Sequence, residues 1–331
     1  MQEAVFLKKS GVLLINLGTP KSAAPKDVRQ FLSHFLSDPR VIDMPRAFWW
    51  LILHGMILPF RPKHSAKMYG QIWDPELGGS PLLYYTQQVT QKLQASLSGY
   101  DVRFAMSYSQ PTIAQVLQDF NDQGIEDLTI VPMYPQFSTT TVGSVYDAVA
   151  NFYLKKARIP HLHIITDFYQ DARYIQVLAN TIQQALDAHP NADELLFSYH
   201  GIPQRYVAEK KDPYFEQCHI TTEMTMERLD HAIPYEMTFQ SKFGPGQWLT
   251  PATHETVVKL AQNGAKELLV VTPSFTADCL ETLYEINTEN RRYFLEAGGS
   301  EFHFISPLND NTEFVDFLTQ LITENSATQR Q

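Results

Sequence analysis

Cysteine is nearly absent from this sequence: 331 residues contain two, Cys218 and Cys279. Two thiols cannot staple a chain of this size or furnish a four-cysteine zinc or iron–sulfur site by themselves, so a reducing compartment is expected. Positive charge is also short, with 26 Lys plus Arg against 36 Asp plus Glu and a formal net charge of −10. Such a balance gives no general attraction for phosphate backbones and argues against nucleic acid as a partner. Glycine-rich phosphate cradles are missing. Neither G-x-G-x-x-G nor G-x-x-x-x-G-K-[ST] occurs, and the nearest stretches, Leu17–Pro20 and Gly244–Trp248, lack the spacing, which disfavours a dinucleotide or ATP site. Long apolar runs are missing too. The greasiest segment, Ala47–Phe60, has 14 residues and is broken by His54, Gly55 and Pro59, short of the ~20 needed to span a bilayer. Near the amino terminus, Val12–Ile15 is too short for a signal-peptide core and no small-residue cleavage site follows, so a cytoplasmic protein is expected.

What is present is ordinary globular material: 44% apolar, 19% charged and 12% aromatic residues, in a length that favours two domains. Short apolar runs bounded by turn residues alternate with amphipathic stretches, the pattern of parallel strands joined by crossover helices. Strands are predicted at 12–16, 102–106, 128–132, 161–166, 194–199, 235–239, 267–272 and 301–305. Helical periodicity is clearest over 24–36, 82–96, 113–122, 172–188, 253–262, 279–297 and 313–324. Two echoes link the halves in the same order: VLLINLGTP at 12–20 matches LLFSYHGIP at 195–203 in pattern, and GIEDLTIVPMYP from Gly124 matches GAKELLVVTPSF from Gly264. The reading is an α/β protein of two similar halves, each a parallel sheet flanked by helices, meeting at a cleft near Asp167 lined by strand carboxyl ends.

Several residues at those ends could carry chemistry. His200 closes the run Phe197–Tyr199 and is followed by Gly201 and Pro203, which turn the chain. Neutral imidazole is both a metal ligand and a base near neutral pH; the bland alternative is a core histidine bonded to a carbonyl. A second strand end leads through Ser274–Ala277 into a helix expected to begin near Asp278, with Asp278, Glu281, Glu285 and Glu289 at offsets that stack on one α-helical face. Like-charged neighbours cost about 0.2–0.5 kcal/mol each on an exposed helix. The row reads either as a relay for protons or cations, or as two carboxylates favoured by the helix dipole and two facing water. Loops 240–249 and 134–143, bearing Trp248, Phe137 and Ser138, follow other strand ends. They could stack on a flat apolar ligand, or Trp248 could plug a domain edge.

INLGTP at 15–20, YPQFS at 134–138, SYHGIPQRY at 198–206, FQS-x-FG-x-x-x-WL at 239–249 and ADCLETLYEI at 277–286 together resemble the ferrochelatases, in order and over essentially the whole chain. The resemblance implies two Rossmann-like halves of chelatase type, with the last helix packing back on the first half. The units would be 1–166 plus 306–331, bearing a porphyrin-cleft lip at 44–62, and 167–305, carrying His200 and the acidic helix. It implies insertion of ferrous iron into protoporphyrin IX to give protohaem, a lyase reaction ending haem biosynthesis, without nucleotide, redox cofactor or iron–sulfur cluster. By position it makes His200 and Glu281 catalytic and metal-binding, Asp278, Glu285 and Glu289 the acidic path behind them, and Leu17, Tyr108, Ser138 and Trp248 porphyrin contacts. Members with an iron–sulfur cluster carry extra cysteines near the carboxyl terminus, and many members have histidine at the position of Cys279 and arginine at that of Ser107; this chain departs from both patterns.

Rival readings are a coproporphyrin ferrochelatase, a cobalt or sirohydrochlorin chelatase, and a non-catalytic tetrapyrrole carrier, which would have no use for the acidic row. The segment Ala47–Phe60, with Phe48, Trp49, Trp50, Leu51, Ile52 and Leu53 in succession and Arg46, Arg61 and Lys63 beside it, is expected to form a lip touching the inner membrane surface, with Trp49 and Leu53 among its contacts. A buried helix is the alternative.

Overall fold

The computed structural model describes residues 9–327 except 231 and 245. Pro245 of the 240–249 loop, and residues 1–8 and 328–331 of the expected first unit, therefore lie outside the described residues. Among the described residues eight strands form two four-stranded sheets. β1 (Ser10–Asn16), β2 (Tyr100–Met106), β3 (Asp127–Pro132) and β4 (His161–Ile164) make the first, in the order β2-β1-β3-β4. β5 (Glu194–His200), β6 (Tyr235–Gln240), β7 (Glu267–Val271) and β8 (Glu301–Ile305) make the second, in the order β6-β5-β7-β8. Every pairing is parallel. The two sheets share one topology, and the strands that echo each other in sequence, β1 with β5 and β3 with β7, hold equivalent places.

The strands are continuous apolar runs because both faces are covered, and their alternation sorts residues between two cores. Val12 and Leu14 of β1 and Leu195, Phe197 and Tyr199 of β5 face one cluster shared between the sheets. Leu13 and Ile15 turn to the outer helices of the first sheet, and Leu196 to those of the second. The terminal helix Thr312–Ala327 contributes Phe314, Phe317, Leu318, Leu321 and Ile322 to the shared cluster. It also bonds the first sheet directly through Ser326 Oγ and Thr129 Oγ1 at 3.0 Å.

Four helical stretches escaped the periodicity reading. The segment Arg46–Ile52, a π-helical turn Leu53–Ile57 and Leu58–Ile72 run on as one helical arm, although His54, Gly55 and Pro59 read as breaks; Pro59 falls just where the π-helical turn gives way to the last segment. Val142–Tyr153 buries Val142, Val145 and Val149, β-branched residues of low helix propensity. Tyr214–Met226 buries Tyr214 and Cys218 together with Gln217, Thr221, Thr222 and Thr225, so polar residues make up most of its inner face. The short helix Gln204–Ala208 is one turn and a half.

The acidic helix departs from expectation. It begins at Leu280 with Cys279 as its cap, and runs to Asn290 with π-helical i→i+5 bonding. Two side chains reinforce that wider turn by taking carbonyls five residues back, Thr288 Oγ1 that of Leu283 at 3.0 Å and Asn290 Nδ2 that of Glu285 at 2.7 Å. The 3.6-residue stacking of four carboxylates is therefore not realised.

The arm 46–72 is two-faced. Trp49 is 5% exposed and donates from Nε1 to the Leu36 carbonyl at 2.6 Å, and Leu53 and Leu58 are also buried. Phe48, Trp50, Leu51, Met56 and Phe60 are exposed, Phe60 at 74%. The expectation that Trp49 and Leu53 belong to the outer surface is thus corrected: helical spacing turns those two inward.

Candidate active site

The carboxyl ends of β5, β6 and β7 converge on one recess. His200 is the last residue of β5, and Gln240, its register partner, the last of β6. The turn after β7 brings in Ser274, whose Oγ accepts the His200 backbone N–H at 3.1 Å. Gly201 is obligatory here: a Cβ would lie 2.7 Å from the Gln240 carbonyl oxygen and 3.5 Å from the Trp248 ring. The sharp turn that aims His200 and the seat of Trp248 are thus one piece of packing.

His200 Nδ1 is shut off from solvent and has no hydrogen-bond partner, while the residue as a whole keeps some surface. Its accessible part therefore lies elsewhere than Nδ1. Burial pushes the imidazole pKa down, and the Glu281 carboxylate opposes that shift. His200 is accordingly neutral at pH 7, close enough to a carboxylate to feel its charge. The alternative of a core histidine bonded to a carbonyl does not describe this ring.

Glu281 lies in the first turn of the π-helix and also faces Cys279, Tyr69 and Tyr134. Burial, with the Glu281 charge second, pushes the Cys279 thiol up, so it stays protonated. Tyr134 Oη is buried with no bond of good geometry; Ser107 is near it but too poorly aligned to satisfy it. The two positions where the chain departs from its resemblance thus both border the recess.

Glu285 is one turn deeper. Its carboxylate accepts from the backbone N–H and hydroxyl of Ser241, both at 2.5 Å, and from Gln240 Nε2 at 3.4 Å. Burial nevertheless raises its pKa to about 7. Ser241 holds a left-handed conformation with φ 64° that aims both donors at Glu285. Gln240 Nε2 also donates to the Glu281 carbonyl at 2.9 Å. Glu289 lies farther along, against Tyr284.

Not every expected residue joins this group. Asp278 is 5% exposed, and both its oxygens are engaged, one by Thr282 Oγ1 at 2.9 Å and one by Asn309 Nδ2 at 2.8 Å. Ser138 is buried in a turn, its hydroxyl 3.2 Å from Asp212 Oδ2. Tyr108 is buried and donates to Asp38 Oδ2 at 2.8 Å. Leu17 is half-buried and packs against Leu82, Ala277 and Cys279. Tyr69 and Asn309 gave no sequence signal, since neither lies in a predicted strand or helix.

The arm 46–72 covers this recess from the first half. Phe243, Leu280, Leu283 and Tyr284 pack against its buried face, and the Arg61 guanidinium sits 4.2 Å over the Phe243 ring. An open depression of about 450 Å³ at the opposite end of the first sheet, lined by Lys9, Tyr100, Asp101 and Gln123, gathers no comparable set of groups.

A family model described as ferrochelatase matches residues 9–326. Coproporphyrin III ferrochelatase of Lactococcus lactis subsp. cremoris (strain SK11) is 45% identical, over 96% of this chain and 98% of its own. Ferrochelatase of Sodalis glossinidius is also 45% identical, over 96% and 94%. Among solved structures, SirB from Bacillus subtilis with Fe3+ superposes with a TM-score of 0.59 at 9% identity, covering 97% of each chain, a likeness of fold. With strand order, recess and family model in agreement over the same residues, the chain belongs to the ferrochelatase family and is a metal chelatase acting on a porphyrin.

Proposed function

We propose that this chain inserts ferrous iron into protoporphyrin IX, with His200 and Glu281 as the groups that meet the metal and the pyrrole protons. The observation that carries the reading is the neutral, partly buried imidazole of His200 facing the Glu281 carboxylate, with Glu285 poised near pH 7 behind them. Metallation expels two pyrrole protons. Neutral His200 has a free lone pair for one, and a carboxylate with a pKa of about 7 can take up and release protons at neutral pH with little barrier. Imidazole and carboxylate hold ferrous iron while water is stripped, without the grip that thiolates would exert. Glu289 extends the path outward, and Asp278 anchors the cap of the helix that carries it. No nucleotide, redox cofactor or iron–sulfur cluster enters this scheme.

The choice of protoporphyrin rests on charge. Arg40 is committed to Asp147 at 2.6 Å, and Arg205 and Lys210 to Asp43 at 3.2 and 2.7 Å. Among the described residues Arg61 and Arg46 have no carboxylate partner: the first lies over the Phe243 ring and the second donates to the Ser37 and Ile42 carbonyls. Two such cations suit two propionates better than four carboxylates. The exposed row of Phe48, Trp50, Leu51, Met56 and Phe60 suits a water-insoluble ring and contact with the inner membrane surface of a cytoplasmic protein. No helix among the described residues is long and apolar enough to cross a membrane. Relatives named for coproporphyrin III at 44–45% identity support the second reading.

Anaerobic ferrous-iron insertion by the purified chain, with both porphyrins compared, is the test. Protoporphyrin turnover is expected to dominate, and His200→Ala to lower it by about 100-fold or more with porphyrin binding retained. A strong preference for coproporphyrin would replace the substrate assignment, and wild-type turnover by His200→Ala would remove the site assignment.

A further inference from the structure

The amino-terminal end of the second sheet holds a second group of ligand-type side chains, a strand's length from the recess. Glu267 opens β7 and Glu301 opens β8, and the two are register partners. His303 lies two residues beyond Glu301, so both side chains project from one face of β8. His189, at the end of the helix Ala172–Ala188, is held by its backbone N–H to the Ala185 and Leu186 carbonyls. His200 ends β5 seven register positions away, roughly 20 Å along the strands.

The donor atoms converge. Glu267 Oε1 lies 3.4 Å from His189 Nδ1 and 3.2 Å from His303 Nε2, and His303 Nε2 lies 3.3 Å from Glu301 Oε2. Ligands at 2.0–2.2 Å around a tetrahedral ion are separated by about 3.3–3.5 Å, so all three separations are near those of a coordination shell. They do not behave as ordinary hydrogen bonds: His303 Nε2 is closed to solvent and makes no bond of acceptable geometry to either carboxylate. Two carboxylates face each other across adjacent strands, an arrangement that repels unless positive charge sits between them.

We propose that His189, Glu267, His303 and Glu301 form a binding site for one divalent first-row metal ion, best suited to zinc. Two imidazoles and carboxylate oxygens are a borderline donor set that favours zinc over magnesium or calcium. The rings of His189 and His303 stack 3.5 Å apart at 20°, so binding turns at least one imidazole about its Cβ–Cγ bond. Glu301 is exposed and both histidines partly so, which leaves room for that turn and an entry path. A bound ion would clip β8, the edge strand, to β7 and to the end of the helix Ala172–Ala188.

The test uses the untagged full chain carrying His200→Ala and Glu281→Gln, which removes the metal ligands of the insertion site. Titration with zinc chloride is expected to show one ion per chain and a rise in melting temperature. Cobalt(II) is expected to give the intense visible bands of a four-coordinate site. Adding His303→Ala should weaken zinc binding by about 10- to 100-fold or more and cancel the thermal gain, while His303→Ala alone leaves porphyrin metallation unchanged. Glu301→Gln, at an exposed position, should weaken binding even if histidine variants fold poorly. No zinc bound by the His200→Ala, Glu281→Gln chain, or binding undiminished by both His303→Ala and Glu301→Gln, overturns the proposal.

Discussion

Glu285 gives the recess a pH signature that can be read without any substrate. Its folded pKa of about 7 lies above the ordinary carboxyl value of 4.5 because the group is buried, so the folded state prefers the protonated form. Stability from this group is complete below pH 4.5 and is lost as the pH rises through about 7. Glu285→Gln should therefore raise the unfolding free energy at pH 8 by an amount on the order of 1–3 kcal/mol, with the advantage gone by pH 4.5. A difference between the two proteins that stays constant across this range would remove the assigned shift. His200 works with the opposite slope. Burial depresses its folded pKa below the ordinary imidazole value of 6.5, so its contribution is complete above that pH and fades below it, where metallation should fade as well. His200 was legible because glycine and proline follow it at a strand end. Tyr69 and Asn309 were not, since a phenol and an amide carry no pattern until the fold brings a carboxylate to them.

At the scale of elements, the arm 46–72 makes the clearest prediction. Replacing the outward Phe48, Trp50 and Phe60 with serine should reduce binding to liposomes of anionic lipid at an unchanged melting temperature. Replacing Trp49 should instead cost about 3–5 kcal/mol, because it empties a core position and frees the Leu36 carbonyl. A loss of liposome binding from Trp49→Ala at full stability would reverse this division of faces. The central strands β1, β3, β5 and β7 were readable as nearly uninterrupted apolar runs, and the flanking β2, β4, β6 and β8 as short runs in which apolar and polar residues alternate. The helix Tyr214–Met226 was not, since threonines line its buried face, and the π-helix was not, since its wide turn depends on side chains reaching back five residues. A carboxylate row laid out at 3.6 residues per turn is accordingly redistributed: Glu281 and Glu285 serve the recess, and Asp278 holds the cap.

Over the whole molecule, the shared cluster ties the two sheets through the carboxyl-terminal helix. Phe314, Phe317, Leu318, Leu321 and Ile322 are buried there, and at roughly 1.5–3 kcal/mol for each large apolar side chain their removal matches the ~5–15 kcal/mol stability of a typical domain. A chain ending at Asn311 should lose cooperative melting by circular dichroism; a sharp transition near the wild-type temperature would show that the helix is dispensable.

The twin topology has a consequence for how the macrocycle is used. Where β5 ends in His200, the matching position after β1 is Leu17, and aligning the second echo from Gly124 and Gly264 places Thr141 opposite Glu281. One half thus offers an imidazole and a carboxylate where its twin offers an isobutyl group and a hydroxyl. A planar ring gripped between such unequal jaws has a chemical face and a mechanical face. On the proposed reading the ion comes in, and the pyrrole protons go out, on the side of the second sheet, while the first sheet supplies only the surface against which the ring is pressed. Duplication of the framework would then have produced a handed device, able to tell the two sides of an otherwise flat molecule apart.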